Sequence, residues 1–239
     1  MKLKYLHHSG FILQDDKYEI LIDCCGLRPE CGEVQRLAAS GRKLYVLASH
    51  WHGDHFDSQI LRLWPDNVDV TYIFSADILK NVPSSTFEDR LIKYIAKGES
   101  CREEHMTVTA FGSTDIGSSF YIEAGGVKIF HAGDLNNWHW NEEEPPEASA
   151  QSEREFLAEL ADICCEVKRL DALMFPIDPR LGRDYTRGAE QFLDKIPVGL
   201  FAPMHFWDDY ASARAFKRKA ESRGCRFAYI TAPGDTFDI

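Results

Sequence analysis

Apolar positions along the 239-residue chain fall mostly into short runs, and their period sorts them into strands and helices. "LKYL" at 3–6, "FILQ" at 11–14 and "YEILID" at 18–23 are β-rich and separated by the turn-prone "HHSG" and "DDK", which predicts an antiparallel meander. "KLYVLAS" at 43–49 is apolar throughout, as a buried strand is. Further strands are expected at 68–74, 106–111, 118–124, 127–132, 172–178, 198–205 and over "RFAYITA" at 226–232, with "GG" closing a tight hairpin between 118–124 and 127–132.

Helical spacing appears in "FDSQILRLW" at 56–64, stopped by Pro65, and in "STFEDRLIKYIAKG" at 85–98 with Gly98 past its end. After a loop-like segment at 135–152, "SEREFLAELADICCEVKRL" opens with a capping-box pattern, Ser152 to Glu155. It places Phe156, Leu160, Ile163, Cys164 and Val167 on one face. Helices are also expected at 187–196 and 209–224. Each half thus carries strands followed by helices, an order suited to two sheets packed face to face with helices outside. No polar linker or short-period repeat divides the chain, so one domain over residues 1–239 is expected.

Composition narrows the function classes. A hydrophobic fraction of 44% and an aromatic fraction of 12% describe an ordinary folded protein. The net charge of −11, concentrated locally in "NEEEPPE" at 141–147, leaves no basic face for a polynucleotide backbone, so a small-molecule substrate is expected and nucleic acid is not. Seven cysteines form neither a disulfide framework nor a paired CxxC zinc site. No run reaches membrane-span length, and the N-terminal "MKLKYLHHSGFIL" lacks the unbroken apolar stretch of a signal peptide, so no membrane partner and a cytoplasmic location are expected. The oligomeric state is not legible.

"LASHWHGDHFD" at 47–57 changes the picture, because three of only nine histidines fall within six positions directly after a predicted strand. His50 and His52, two apart on an extended segment, point the same way. Gly53 permits a turn that re-aims Asp54 and His55, so one segment can serve two neighbouring metal positions. Metal sites of hydrolases need ligands from distant segments, and two other strand ends offer them: Asp134 in "IFHAGD", able to give one oxygen to each of two ions, and His205 in "FAPMH".

With the H-x-H-x-D-H run His50 to His55, the "HAGD" aspartate, the "PMH" histidine, and "HHSGF" and "LID" near the start, the chain resembles the metallo-β-lactamase superfamily over nearly its full length. It is most similar to the compact subgroup that includes the bacterial ascorbate-phosphate lactonase. The resemblance implies an α+β fold, a four-layer αββα sandwich, with a one- or two-metal site at its edge. One ion would be held by His50 and His52, the other by Asp54, His55 and His205, with Asp134 between them. Zinc suits this donor set, with manganese or iron less selectively accommodated. Water shared by two such ions would be largely hydroxide near neutral pH and would attack a small ester, lactone or phosphoester, with Asp54 orienting it or relaying the proton.

The chain departs from the family pattern where a third histidine for the first ion is usual. That place falls in "FGSTDIGSSF", which has none. Asp115 is one replacement, His105 or His139 another; otherwise water fills the position or a single ion is held by Asp54, His55, Asp134 and His205. The gap motivates an alternative reading, a metal-binding, catalytically weak or sensory member of the fold. In "LNNWHWNEEEPP", Trp138, His139 and Trp140 are candidate pocket walls, with His139 as a proton donor to the leaving group. His8 and Asp23 are expected to support the ligands by hydrogen bonds; Asp178, at a strand end, is either a pocket-lining residue or a plain loop carboxylate. Packing is the expected role of Cys24 and Cys25.

Overall fold

The computed structural model describes residues 1–87 and 90–239. Its strands, in chain order, are β1 (Lys2–His7), β2 (Gly10–Gln14), β3 (Tyr18–Ile22), β4 (Lys43–Ala48), β5 (Val70–Ser75), β6 (Ile92–Ile95), β7 (Ser100–Arg102), β8 (Met106–Phe111), β9 (Ser119–Ala124), β10 (Val127–His131), β11 (Leu170–Pro176), β12 (Val198–Met204), β13 (Arg226–Phe227) and β14 (Thr236–Asp238). The helices are α1 (Gly32–Ala39), α2 (Ala76–Asn81), α3 (Pro146–Glu166), α4 (Arg187–Leu193), α5 (Tyr210–Ala215) and α6 (Lys217–Glu221). Two seven-stranded sheets result, ordered β14-β1-β2-β3-β4-β5-β6 and β13-β12-β11-β10-β9-β8-β7.

Side-chain alternation explains the layering. In β3, Ile20 and Ile22 join the core between the sheets while Leu21 faces the outer layer; in β4, Tyr45 and Leu47 point inward and Leu44, Val46 and Ala48 outward. The inner core meets Val108, Phe120 and Ile129 of the second sheet, and each such large apolar side chain contributes about 1.5–3 kcal/mol on burial. The outer face of the first sheet is covered by Val34 and Leu37 of α1 and by Ile60, Leu61 and Trp64. On the other side α3 lays Phe156, Leu160 and Ile163 against the second sheet, Phe156 meeting Phe175 of β11 at 6.2 Å. The α+β sandwich with flanking helices is therefore present.

Several elements differ from expectation. The helix expected at 85–98 is replaced by β6, parallel to β5 with Tyr72 opposite Ile92. Ile92 and Tyr94 pack outward while Ile95 enters the inner core, an alternation that the i+3 spacing of the same residues conceals. Glu88 and Asp89 of that segment lie outside the described residues. "FDSQILRLW" shrinks to a 3-10 turn, Ser58–Arg62, because Asp57 caps it by accepting from Gln59 N at 3.0 Å and Pro65 follows closely. α3 begins six residues before Ser152, at Pro146, where proline's missing N–H costs nothing; Ser152 then bonds back to Ala148 O and forms no cap. The segment at 209–224 splits into α5 and α6 around Phe216, and 226–232 pairs only over β13. α1 was not predicted. No helix among the described residues is long and apolar enough to cross a membrane.

What this topology does for chemistry is specific. β3, β4 and β5 run parallel, as do β10, β11 and β12, so the chain leaves all of them at the same kind of sheet edge. Asp23, Ser49–His55, Asp134, Asp178 and His205 follow β3, β4, β10, β11 and β12 respectively, in the crevice where parallel sheets collect ligands.

Candidate metal centre

Backbone geometry first marks the edge. His8, Asp23, Trp140, His205 and Trp207 have φ of 52°, 49°, 39°, 59° and 52°, and they are the non-glycine residues with left-handed φ among the described residues. Each costs of order 1–3 kcal/mol, so the fold concentrates strain around one cleft, which Trp140, His205 and Trp207 line while His8 and Asp23 stand outside its lining. Close approach does the rest: a Cβ on Gly117, itself at φ 76°, would lie 2.2 Å from Ser49 O and 2.4 Å from His50 Cβ. Glycine there lets the 112–118 loop bond Ser118 N to Ser49 O at 2.9 Å, directly behind the histidine cluster.

Asp134 stands in the middle. Its Oδ2 is 3.3 Å from His50 Nε2, whereas its Oδ1 is 3.0 Å from His55 Nε2 and 3.4 Å from His205 Nε2. On the His50 side, His52 Nδ1 is 3.7 Å from Asp115 Oδ2, and His52, Asp115 and Asp134 bring one donor atom each within 4.8 Å of one another. On the His205 side the corresponding group is His8, Asp54, His55 and His205, with His8 Nε2 3.3 Å from Asp54 Oδ2. The H-x-H-x-D-H run thus feeds overlapping groups, His50 and His52 also gathering with Asp54 and His50 and His55 with Asp134, and Asp134 touches both sides.

These atoms approach without the alignment of hydrogen bonds. His50 Nε2, His55 Nε2, both ring nitrogens of His8 and Asp134 Oδ1 are buried and have no hydrogen-bond partner among the described residues. Each such group costs about 1–3 kcal/mol when left unsatisfied, and several converge here. Imidazole nitrogens and carboxylate oxygens converging without mutual hydrogen bonds are what a divalent cation needs, so the donor set fits metal.

The electrostatics agree. Burial raises the Asp134 carboxyl, but the neighbouring His50, His55 and His205 outweigh it and hold it well below the usual range. Burial likewise raises Asp54, and His8 and His55 more than reverse it. His55 is pushed up to about 10, because Asp134 and Asp23 overcome the burial that would lower it. His8, by contrast, is held at about 4 by burial, which the nearby Asp54 only partly offsets.

Two buried carboxylates aim the histidines from behind. Asp23 accepts from Ser49 N at 2.7 Å, Ser49 Oγ at 2.6 Å and His55 Nδ1 at 2.8 Å, leaving His55 Nε2 for the cleft. Asp178 accepts from His205 Nδ1 at 2.9 Å and from Arg180 N and Nε at 3.0 Å. His131, which nothing in the sequence marks as functional, is fully buried behind Asp23, 3.8 Å from its Oδ2, and bonds Ser9 O at 2.8 Å through Nε2. In "FHAGD" it stands three residues before Asp134, but a histidine inside a strand run reads as packing.

The cleft over this centre has a volume of about 430 Å³ and is lined by His52, Asp54, Asp115, Asp134 and His205 below and by Trp138, Trp140, Trp207 and Arg180 above. Trp138 Nε1 donates to Asp134 O at 2.8 Å and its ring stacks on Trp140 at 6.3 Å, so the expected aromatic wall also clamps the Asp134 loop. His139 does not take the expected role. Its Nε2 bonds Asp184 O at 3.2 Å, its Nδ1 accepts from Asn141 N at 3.2 Å, and it does not line the cleft, so it has no free nitrogen to protonate a leaving group. Nor does it reach the first cluster as a replacement ligand. His105 is bound to Tyr45 Oη at 3.1 Å and packs on Tyr18, which removes it from the same role. Asp178 lies behind His205 and does not line the cleft. Cys24 and Cys25 donate to backbone carbonyls, Cys25 to Asp54 O at 3.0 Å, and belong to neither cluster.

Known proteins resemble this chain in sequence and fold. The family described as a beta-lactamase superfamily domain matches residues 2–149. A UPF0173 metal-dependent hydrolase of Symbiobacterium thermophilum is 24% identical over 260 residues, covering 100% of each chain. The atrochrysone carboxyl ACP thioesterase of Claviceps purpurea is 29% identical over 130 residues, which span 51% of this chain and 38% of that protein. Among solved structures, Igni18, a metallo hydrolase from Ignicoccus hospitalis, superimposes with a TM-score of 0.66 at 19% identity, over 100% of this chain and 98% of its own. With the sandwich, the shared aspartate and the family match in agreement, the chain belongs to the beta-lactamase superfamily and is a hydrolase of that fold.

Proposed function

We propose that the chain, as one domain over residues 1–239, binds one or two divalent ions, zinc by the chemistry of its donors, and cleaves a small ester, lactone or phosphoester in the cleft. The observation that carries this reading is the division of Asp134, with Oδ2 toward His50 and Oδ1 toward His55 and His205. His50, His52, Asp115 and Asp134 would hold the first ion; Asp54, His55, Asp134 and His205 the second, with His8 placed to join them. Such ions supply Lewis acidity and make water a nucleophile near neutral pH.

The chain's own part is orientation and proton handling. Asp23 and Asp178 fix which nitrogen of His55 and His205 faces the cleft. Asp54, about one-third exposed and ionised, borders both the cleft and His8, and is the group we assign to orienting the attacking water and accepting its proton. The Claviceps relative's name supports acyl transfer to water as the reaction type. Free cysteines throughout suit a reducing cytoplasm.

The alternative, a weakly catalytic metal binder, draws on Asp115, which is about half exposed and 3.7 Å from His52. Hydrolysis of 4-nitrophenyl esters, a homoserine lactone and bis(4-nitrophenyl) phosphate by metal-loaded protein tests between them. Turnover of any of these that disappears on chelation supports the hydrolase. Two bound ions without turnover of any supports the alternative.

A further inference from the structure

Arg180 is the one arginine or lysine among the described residues lining the cleft, and its side chain is half exposed. Its Nε and Nη2 are fixed on the buried Asp178 carboxylate, whereas Nη1 has no partner among the described residues. The guanidinium lies 5.4 Å from the Trp207 ring and 6.0 Å from the Trp140 ring, within cation–π reach of both indoles. A guanidinium that only neutralised Asp178 would need neither the cleft nor the aromatic neighbours. Here the fork is held in one orientation from behind and left open in front, at low entropic cost for a further hydrogen bond.

We propose that Arg180 anchors a second, non-reacting oxyanion of the substrate, a carboxylate or a phosphate, while the body of the substrate packs on Trp140 and Trp207. The proposal rests on the cleft being the hydrolase site, and it narrows the substrate to an ester-type molecule carrying a negative charge away from the scissile bond. The remaining charge of the cleft argues for this division. Asp54, Asp115 and Asp134 are balanced by the ions they would hold, and the chain as a whole carries −11, so an anionic substrate is drawn in by a local cation and not by the overall field. Arg180 is tied through Asp178 to His205, which makes anchor and metal ligand parts of one rigid unit.

The test is binding of hydrolysis-resistant anilides to the metal-loaded protein, measured by calorimetry. N-phenylsuccinamate and its phosphonate counterpart carry the charge; N-phenylbutyramide has the same body without it. The wild type is expected to bind a charged probe roughly tenfold or more tighter than the neutral one, as a charge-assisted hydrogen bond provides. Arg180→Gln should bring that ratio to about one, and Arg180→Lys, which still neutralises Asp178, should give an intermediate ratio. Whichever charged probe binds tighter identifies the oxyanion. A wild type with no charge preference overturns the anchor, as does a preference that survives unchanged in Arg180→Gln at equal metal content, since the anion then sits on the ions. Because the anilides are not turned over, a protein that keeps the preference yet cleaves no ester loses the hydrolase reading alone.

Discussion

His52 Nδ1 lies 3.7 Å from Asp115 Oδ2, and both share Asp134 as a neighbour. A carboxylate thus stands where the family pattern leads one to look for a third histidine, on a loop that Gly117 presses against Ser49 and His50. Oxygen is a harder donor than imidazole nitrogen, so an ion held here would be drawn from zinc toward manganese or iron relative to a three-histidine site.

Asp115→Ala should remove the more weakly held ion, lowering its affinity by at least the roughly 10–100-fold that loss of a supporting partner costs. Asp115→His should tighten zinc. Metal content after dialysis checks both; an Asp115→Ala protein with wild-type content would exclude Asp115 as a ligand.

Asp23→Asn and Asp178→Asn keep shape but remove the charge that fixes His55 and His205. Each should cost about 10–100-fold in metal affinity or activity. Titration of the stripped protein with zinc measures it, and wild-type affinity in either variant would contradict the aiming role.

The metal-free protein should be most stable near pH 6.5. His8 is held at about 4 against an ordinary 6.5, so as pH falls through this window the unfolded chain takes up a proton that the folded chain refuses, and stability is lost. Burial lowers His131 in the same direction. His55, raised from 6.5 to about 10, works oppositely: its contribution is complete below 6.5 and is lost as pH rises toward 10. Melting temperature of chelator-treated protein from pH 4 to 10 should show the maximum, and a monotonic profile would contradict it.

Gly117→Ala should destabilise the fold by about 2 kcal/mol or more, since the added Cβ meets the Ser49 carbonyl and a left-handed φ at once. Urea unfolding of the metal-free protein measures this. A variant as stable as wild type would show that the 112–118 loop has room to move.

The strands and the cluster were legible because they are local. Alternation and apolar runs marked β1 to β5 and β8 to β12, and His50 to His55 with Asp134 and His205 all lie at the ends of such runs. Segments whose structure is decided by distant partners were not. Ile92–Ile95 reads as helix until β5 supplies its hydrogen bonds, and α1 has only two buried apolar residues to announce it. Within the site, His139 looked chemical because of its neighbours Trp138 and Trp140, yet its nitrogens belong to Asp184 and Asn141. Arg180 and His131 were invisible for the converse reason: the contacts that matter, with Asp178, Trp207 and Asp23, come from segments far apart in sequence or from a turn whose direction the sequence does not encode.

If Asp134 joins two metal positions, hydrolysis depends on that one carboxylate. Metal content and ester or phosphodiester turnover, measured together on wild type and Asp134→Asn, test it most directly. The expected result is about two equivalents of metal with chelator-sensitive turnover in the wild type, and loss of metal from both positions with turnover reduced by at least about a thousandfold in Asp134→Asn, the loss of a group worth about 4 kcal/mol or more to the transition state. Wild-type metal content and turnover in Asp134→Asn would contradict it.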